Sequence, residues 1–234
     1  TNIVTFHNLL LFAFNSKAYC SLVALLIIIA TPKINGIILA IASGYTGISE
    51  PAGDGELVSI FLKHEVCKEA VTDLIDNRDG LILGVGNGFQ ALLKTGLLPY
   101  GKYTDIGANE PTFTQNVIGR HQAKVISTRV CSNMSPWLSS YKPDDTITVP
   151  VSYSNGRFIA NVEFLQQLDE TGQIATQYID FDGIPSTNIR YNPANSVCAI
   201  EAITSPDGRI FGKMGHSEKT SDYKIFENAI NYFK

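Results

Sequence analysis

LILGVGNGFQA, from Leu81 to Ala91, is the stretch of sequence that decides the fold. Its first five residues, Leu81 to Val85, form a short apolar run that is typical of a buried strand. Glycines at alternate positions then lead into the apolar pattern of a helix, Phe89 to Thr95, which Gly96 ends. The stretch therefore predicts a strand, a tight turn and a helix in direct succession.

Two kinds of site use a glycine-rich turn between a strand and a helix. A dinucleotide site has its third glycine or alanine at a wider spacing, and an acidic residue about 20 positions later. Gly84, Gly86 and Gly88 do not match that spacing. About 20 positions later the sequence has Asp105, but neither this nor any nearby acidic residue ends a suitable second strand. In a nucleophile elbow, the residue at the tip has a strained backbone, and flanking glycines leave room for its side chain. The spacing favours an elbow with Gly86 at its tip.

Strands and helices surround this stretch in the order expected of an α/β domain. Ile34 to Ala42 predicts a strand that ends in the loop SGYTGISEPAGDGE, and Glu56 to Asn77 has apolar residues at helical spacing, which predicts one or two helices. This alternation implies a parallel sheet with helices on both faces. The second half predicts added antiparallel strands at Lys124–Val130, Thr146–Val151, Arg157–Val162 and Ile174–Ile179, helices at Glu163–Glu170 and Ser221–Phe233, and a turn-rich loop at Gly183–Ser196.

Length and composition fit a single domain that spans residues 1–234. A net charge of -4 and a pI near 5.5 provide no basic surface for nucleic acid. The apolar run Leu22 to Ala30 is shorter than the roughly 20 residues that span a bilayer, so we expect buried strands, or a strand and a buried helix, and a cytoplasmic location. Four well-separated cysteines without histidines at metal-ligand spacing predict reduced thiols and no metal site.

Five segments, the elbow among them, point to one family. They are LGVGNGFQALLKTGLLPYG at Leu83–Gly101, IGRHQ at Ile118–Gln122, SNMSPWL at Ser132–Leu138, GQIATQYID at Gly172–Asp180 and AITSPDGRIFGKMGHSEK at Ala202–Lys219. In this order they resemble the glutamine amidotransferase domain of phosphoribosylformylglycinamidine synthases. The resemblance extends from Ile37 to Lys219, and Gly86 stands where that family has its nucleophilic cysteine.

The resemblance implies the fold of class I, triad-type glutamine amidotransferases. That fold is a flavodoxin-like, mostly parallel sheet flanked by helices, here with extra antiparallel strands in the second half. The family hydrolyses glutamine with a cysteine nucleophile, a histidine that acts as base and acid, and a carboxylate that orients the histidine. His216 and Glu218 match the last two positions, and two residues apart on an extended segment they would point to the same side.

The resemblance also implies an oxyanion site and a substrate contact. Backbone N–H groups would hold the oxyanion, one from Asn87 and one from the loop around Gly44 and Tyr45, where the family has Gly-Gly-Phe. Gln90 corresponds to the family's substrate-contacting glutamine, although it could equally be a solvated helix residue.

Departures from the family pattern lead to two hypotheses. Besides Gly86, Ala42–Tyr45 replaces Pro-Gly-Gly-Phe, and Ser152–Phe158 replaces Ser-His-Gly-Glu-Gly-Arg-Phe. The first hypothesis is a glutaminase domain that supplies ammonia for purine biosynthesis and is inactive in this chain because the nucleophile is missing. The alternative is a natural pseudo-glutaminase, a pseudoenzyme with a structural or interaction role. An unrelated hydrolase is disfavoured because the tip carries no other nucleophile.

The implied partners are glutamine and a synthase. The domain would be the C-terminal part of a longer synthase or a separate subunit, so the synthase would act in cis or in trans. The sequence has no phosphate-binding lysine loop of the Walker type. We therefore expect ATP and Mg in the partner synthase domain, and neither cofactor nor metal in this one.

Overall fold

A computed structural model describes residues 26–31, 34–41, 53–107 and 109–234. The strands in these ranges are β1 Leu26–Thr31, β2 Ile34–Ile41, β3 Leu81–Val85, β4 Thr112–Thr114, β5 Gln122–Val130, β6 Thr146–Tyr153, β7 Arg157–Ile159, β8 Ile174–Tyr178, β9 Ile200–Thr204 and β10 Ile210–Lys213. The helices are α1 Gly53–Lys63, α2 Glu65–Asp76, α3 Asn87–Thr95, the single turn α4 Leu97–Tyr100, α5 Val162–Glu170 and α6 Lys224–Tyr232. None of these described helices has the length and apolar character needed to cross a membrane.

Eight strands form one sheet in the order β1-β2-β3-β10-β9-β8-β5-β6. β2, β3 and β10 run parallel, while the other neighbouring strands of this sheet pair antiparallel. β4 and β7 form a separate antiparallel pair. The α/β class is confirmed. The parallel part is smaller than expected because the tight turn Ser205–Arg209 joins β9 to β10 as a hairpin, which reverses the chain beside the parallel strands.

The predicted elements correspond closely to the observed ones. The segment from Glu56 to Asn77 lies in two helices, and the strand, turn and helix around Gly86 occur as predicted. The expected strand at Arg157–Val162 ends at Ile159, since the Asn161 side chain accepts a hydrogen bond from the Phe164 backbone N–H, 2.7 Å, and caps α5. The predictions for residues 1–25 lie outside the described residues.

Helix α3 packs on β3 and β10 at the centre of the molecule. Phe89 of α3 is fully buried, and its ring meets that of Phe113 edge-on with centroids 4.9 Å apart. Gly212 of β10 permits this close approach, because a Cβ there would lie 2.2 Å from Phe89 Cδ2. Burial of a large apolar side chain contributes about 1.5–3 kcal/mol, so this contact fixes the helix firmly on the sheet.

The sheet is strongly curved, and its edge strand β6 contacts the segment that follows the central strand β10. β6 is the edge strand, yet the Pro150 carbonyl accepts a hydrogen bond from the His216 backbone N–H, 2.8 Å, just beyond the end of β10. Strand twist of one hand accumulates across a sheet and produces such curvature. The curl brings the antiparallel half of the sheet against the edge at which β3 and β10 end.

Candidate active site

Gly86 forms the tip between β3 and α3 with an unusual backbone conformation, φ 55° and ψ -110°. Residues with a Cβ are strained at such angles, whereas glycine adopts them without steric cost. The Gly86 N–H donates to the Lys213 carbonyl, 2.9 Å, and the Gly86 carbonyl accepts from the Gln90 N–H, 3.1 Å. Backbone hydrogen bonds therefore hold the tip in the shape of a nucleophile elbow.

The two glycines that flank the tip allow the helix to start close to the sheet. A Cβ at Gly88 would lie 2.1 Å from the Ile41 carbonyl oxygen, and one at Gly84 would lie 2.6 Å from Leu92 Cδ1. Both distances are far below van der Waals contact, so any side chain would push α3 away from β2 or β3. The glycine spacing noted in the sequence thus serves the packing of the elbow itself.

His216 and Glu218 form a hydrogen-bonded pair. His216 Nδ1 lies 2.6 Å from Glu218 Oε1, and the His216 side chain is only 4% exposed. The segment is not extended as expected. His216 is followed by a single 3₁₀ turn, Ser217–Lys219, and this turn brings the Glu218 carboxyl back to the imidazole.

The ionisation of Glu218 determines which imidazole nitrogen carries the proton. Partial burial opposes ionisation of the carboxyl, but the hydrogen bond from His216 and the attraction of His216 and Lys213 outweigh it and hold the pKa of Glu218 below its usual value. An ionised carboxylate can only accept a hydrogen bond. Nδ1 must therefore be the donor, which leaves Nε2 of a neutral imidazole free to act as a base.

Strand topology brings this pair to the tip. β10 runs parallel to β3 with Lys213 opposite Val85, so both strands end at the same edge of the sheet. Gly86 follows one strand directly, and His216 comes three residues after the other. Carboxyl ends of neighbouring parallel strands are where α/β proteins assemble their sites. Gly86, His216 and Glu218 thus belong to one edge, and their catalytic roles remain predictions.

Gln90 lies one helical turn after the tip and is almost fully buried. Its Nε2 donates to the Asn155 carbonyl, 2.8 Å. The two residues line a cavity of about 50 Å³, together with Leu93, Lys94, Ile106, Pro111, Thr112 and Phe113. Because the residue is 8% exposed, the solvated-helix alternative is wrong. Its contact with substrate stays a prediction.

Of the predicted contributors to the oxyanion site, Asn87 lies within the described residues. Asn87 is the first residue of α3, so its backbone N–H belongs to the helix N-terminus, where partial positive charge accumulates. Gly44 and Tyr45, the other predicted contributors, lie outside the described residues. Stabilisation of an oxyanion by Asn87 therefore remains a prediction.

Cys67 and Cys131, two of the three cysteines in the described part of the chain, are poor substitutes for the missing nucleophile. Burial raises the pKa of the Cys131 thiol to about 11, and its Sγ donates to Gln177 Oε1, 3.2 Å. Burial also raises the pKa of Cys67, which lies in α2. Since the thiolate is the reactive form, neither is activated. Within the described ranges, no group of three or more His, Cys, Asp or Glu residues could hold a metal.

A buried pair of charged residues close to the histidine was not predicted from the sequence. Lys213 of β10 and Glu201 of β9 have side chains that are 2% and 0% exposed, with Lys213 Nζ 3.9 Å from Glu201 Oε1. Each is the only charged residue of a short, largely apolar strand, which is the signal that could have found them.

Comparisons with known proteins show the family and the fold of the chain. A family model described as a CobB/CobQ-like glutamine amidotransferase domain matches residues 29–233. The phosphoribosylformylglycinamidine synthase subunit PurQ of Synechococcus sp. (strain JA-3-3Ab) is 33% identical over 145 residues, which are 62% of this chain. The match spans 55% of that relative, about half its length.

One solved structure shows the same fold. The structure of PurLQS from Thermotoga maritima has a TM-score of 0.60 at 19% identity, and the match covers 83% of this chain and 80% of that one. The CTPS glutaminase domain from Trypanosoma brucei is more distant, with a TM-score of 0.46 at 13% identity over 84% of this chain and 71% of that one. Because the family model matches most of the sequence, the chain belongs to the CobB/CobQ-like glutamine amidotransferase domain family.

Proposed function

We propose that this chain is the glutaminase domain of a phosphoribosylformylglycinamidine synthase, which hydrolyses glutamine and supplies ammonia for purine biosynthesis. The observation that carries the proposal is the hydrogen-bonded His216–Glu218 pair, which follows the strand next to a nucleophile elbow. The PurQ relative and the PurLQS structure support the same assignment.

The chemistry requires a nucleophile at position 86. With a cysteine there, its thiolate would attack the side-chain amide carbon of glutamine, and the oxyanion would be stabilised by the N–H of Asn87. His216 would first take the thiol proton on Nε2 and then donate it to the leaving nitrogen, so that ammonia departs and a thioester remains. Water, deprotonated by His216, would then hydrolyse the thioester to glutamate and restore the thiol. Glu218 would hold the other imidazole proton on Nδ1, so that Nε2 can accept a proton and return it in each step.

Gly86 removes this chemistry from the chain as it stands. A glycine cannot form the thioester, and loss of the nucleophile alone costs roughly a million-fold in turnover in a comparable triad. The backbone at the tip keeps its elbow shape, so we propose that the chain lacks activity because one side chain is missing and that the fold is intact.

The ammonia would be used by a synthase. We propose that a synthase domain or subunit, in cis or in trans, binds ATP and Mg and receives the ammonia in the cytoplasm. Nothing in the glutaminase chemistry itself calls for a metal or a cofactor, because every proton and bond change above involves the protein, glutamine or water.

Ammonia release from glutamine tests the proposal, with the unchanged chain and Gly86→Cys measured alone and with a synthase domain. Gly86→Ala is the matched control, because it places a Cβ at the same strained backbone position without a thiol. We expect turnover from Gly86→Cys only. A folded but inactive Gly86→Cys, with and without the synthase, would overturn the glutaminase assignment and favour the pseudo-glutaminase alternative.

A further inference from the structure

The ammonium group of Lys213 is buried against the segment that carries the catalytic histidine. Its side chain is 2% exposed. Lys213 Nζ donates to the Gly215 carbonyl, 2.9 Å, and to Ser217 Oγ, 2.8 Å. Gly215 and Ser217 flank His216 on either side in the chain. One ammonium group therefore binds the residue before the histidine and the residue after it.

Glu201 completes the contacts from the neighbouring strand. Its Oε1 accepts a hydrogen bond from the Gly215 N–H, 2.5 Å, and its Oε2 accepts one from the Thr176 hydroxyl. The peptide groups of Gly215 are thus bound on both sides, the N–H by Glu201 and the carbonyl by Lys213. Gly215 is also closely packed, because a Cβ there would lie 2.4 Å from Val149 Cγ2, so no residue with a side chain fits without a shift.

Stability alone is a weak reason for such a pair. Taking two charges out of water costs several kcal/mol per ion, and well-packed apolar residues are often as stable in the same place. The pair instead fixes the position of a short segment by charge-assisted hydrogen bonds, which are the stronger and more directional kind. The segment that it fixes contains His216.

Lys213 also contacts the tip. Its backbone carbonyl accepts the hydrogen bond from the Gly86 N–H, 2.9 Å. The same residue therefore binds the nucleophile position through its main chain and both neighbours of the histidine through its side chain. Lys213 thus links the two halves of the site directly.

We propose that Lys213, held by Glu201, is a positioning residue that sets the imidazole of His216 relative to the tip. Only the expected effect of Lys213 on turnover rests on the proposed glutaminase function. The placement of the imidazole itself is measurable in the chain that carries Gly86.

Lys213→Met tests the positioning by activity, in the Gly86→Cys background. Methionine keeps the length and volume of the side chain and removes the ammonium group. A misplacement of about 1 Å costs on the order of 100-fold in rate, so we expect kcat to fall about 100-fold. KM for glutamine should change by less than about 3-fold, because the loss falls on the transition state. Lys219→Met is the matched control, since Lys219 is exposed and lies on the same segment.

Ser217→Ala is the second variant, in case loss of the ammonium group unfolds the protein. It removes one hydrogen-bond partner of Lys213 and leaves the Lys213–Glu201 pair in place. Because the ammonium group keeps its other partners, we expect a smaller fall in kcat than for Lys213→Met, about 3- to 10-fold.

Imidazole NMR on the chain with Gly86 gives a measurement that does not depend on turnover. The Nδ1–H signal of His216 is assigned by its loss in His216→Ala. We expect it to be protected from exchange in the unchanged chain and in Lys219→Met, and to shift and lose protection in Lys213→Met and, to a smaller extent, in Ser217→Ala.

The two measurements separate the positioning role from the glutaminase function. A changed Nδ1–H signal together with an inactive Gly86→Cys would support positioning and overturn the glutaminase proposal. An active Gly86→Cys whose kcat is unaffected by both Lys213→Met and Ser217→Ala would overturn positioning. The same holds if the Nδ1–H signal is unaltered in both variants.

Discussion

The tip and the histidine loop, residues Met214 to Glu218, lie at one edge of the sheet but are held in shape by different parts of the chain. The shape of the tip depends on the backbone. The φ of 55° at Gly86 is fixed by the strand before it, the helix after it and two backbone hydrogen bonds. The histidine loop depends on side chains, because Lys213 and Glu201 bind its peptide groups. The tip can therefore lose its side chain and keep its geometry, whereas the histidine loop needs the side chains of Lys213 and Glu201 to keep its geometry.

This difference explains how the tip can carry a glycine while the described part of the site keeps its geometry. Replacement of a strained residue by glycine relieves strain at the tip and disturbs no hydrogen bond that the tip makes. Replacement of Lys213 or Glu201 would leave a buried charge without its partner, which costs about 3–5 kcal/mol. We therefore expect loss of a side chain at the tip to disturb the fold less than loss of Lys213 or Glu201.

The largest effect is expected at the histidine, in the Gly86→Cys background. His216→Ala removes the base and the acid, and in a comparable triad this loss costs about a million-fold in turnover. Steady-state ammonia release measures it. A residual rate within ten-fold of Gly86→Cys would show that the histidine loop does not take part.

Glu218→Gln is expected to have the next largest effect. A carboxamide carries no charge to stabilise an imidazolium, and its amino group can bind Nδ1 and place the proton on Nε2. Loss of the orienting carboxylate costs up to about 10⁴-fold in a buried triad, and the carboxyl here is 37% exposed, so we expect about 10²- to 10³-fold in kcat. Glu163→Gln, on the exposed face of α5, should leave kcat unchanged.

Gly88→Ala tests the role of backbone packing at the tip, and its effect is measured on the free energy of unfolding and not on the rate. The new Cβ would lie 2.1 Å from the Ile41 carbonyl oxygen, so α3 must move away from β2. We expect the free energy of unfolding to fall by about 3 kcal/mol in urea denaturation. Gly107→Ala is the control, since a Cβ there meets nothing within 4 Å. Equal stability of the two variants would contradict the backbone-based account of the tip.

The smallest effect concerns pH. The pKa of Glu218 is lowered in the fold, so its carboxylate contributes stability above the unfolded value of about 4.3 and loses that contribution as the pH falls through the lower folded value. Solvent screening of a side chain that is 37% exposed limits the contribution to less than about 1 kcal/mol. The stability of the unchanged chain relative to Glu218→Gln should therefore decrease from pH 6 to pH 3. An increase on acidification would contradict this assignment.

Sequence patterns predicted the elbow well because its structure is local. Apolar runs, alternate glycines and a terminal Gly96 all act within a few residues of Gly86. The hairpin of β9 and β10 was not predicted, since Glu201 and Lys213 bring charges into these short strands, and their hydrogen bonds and ion pair form only in the folded protein. The turn at Ser217–Lys219 was missed for a similar reason: it is fixed by the buried ammonium group of a strand.

Covalent labelling is the most direct test of the claim that the site lacks only the side chain of its nucleophile at position 86. Gly86→Cys, the unchanged chain and Gly86→Cys with His216→Ala are treated with a chloroketone analogue of glutamine, and the adducts are mapped by mass spectrometry. We predict one adduct at position 86 in Gly86→Cys, prevented by glutamine and strongly slowed without the histidine. Labelling at position 86 that glutamine does not prevent, or that is no faster than labelling of Cys67, Cys131 and Cys198, would contradict the account.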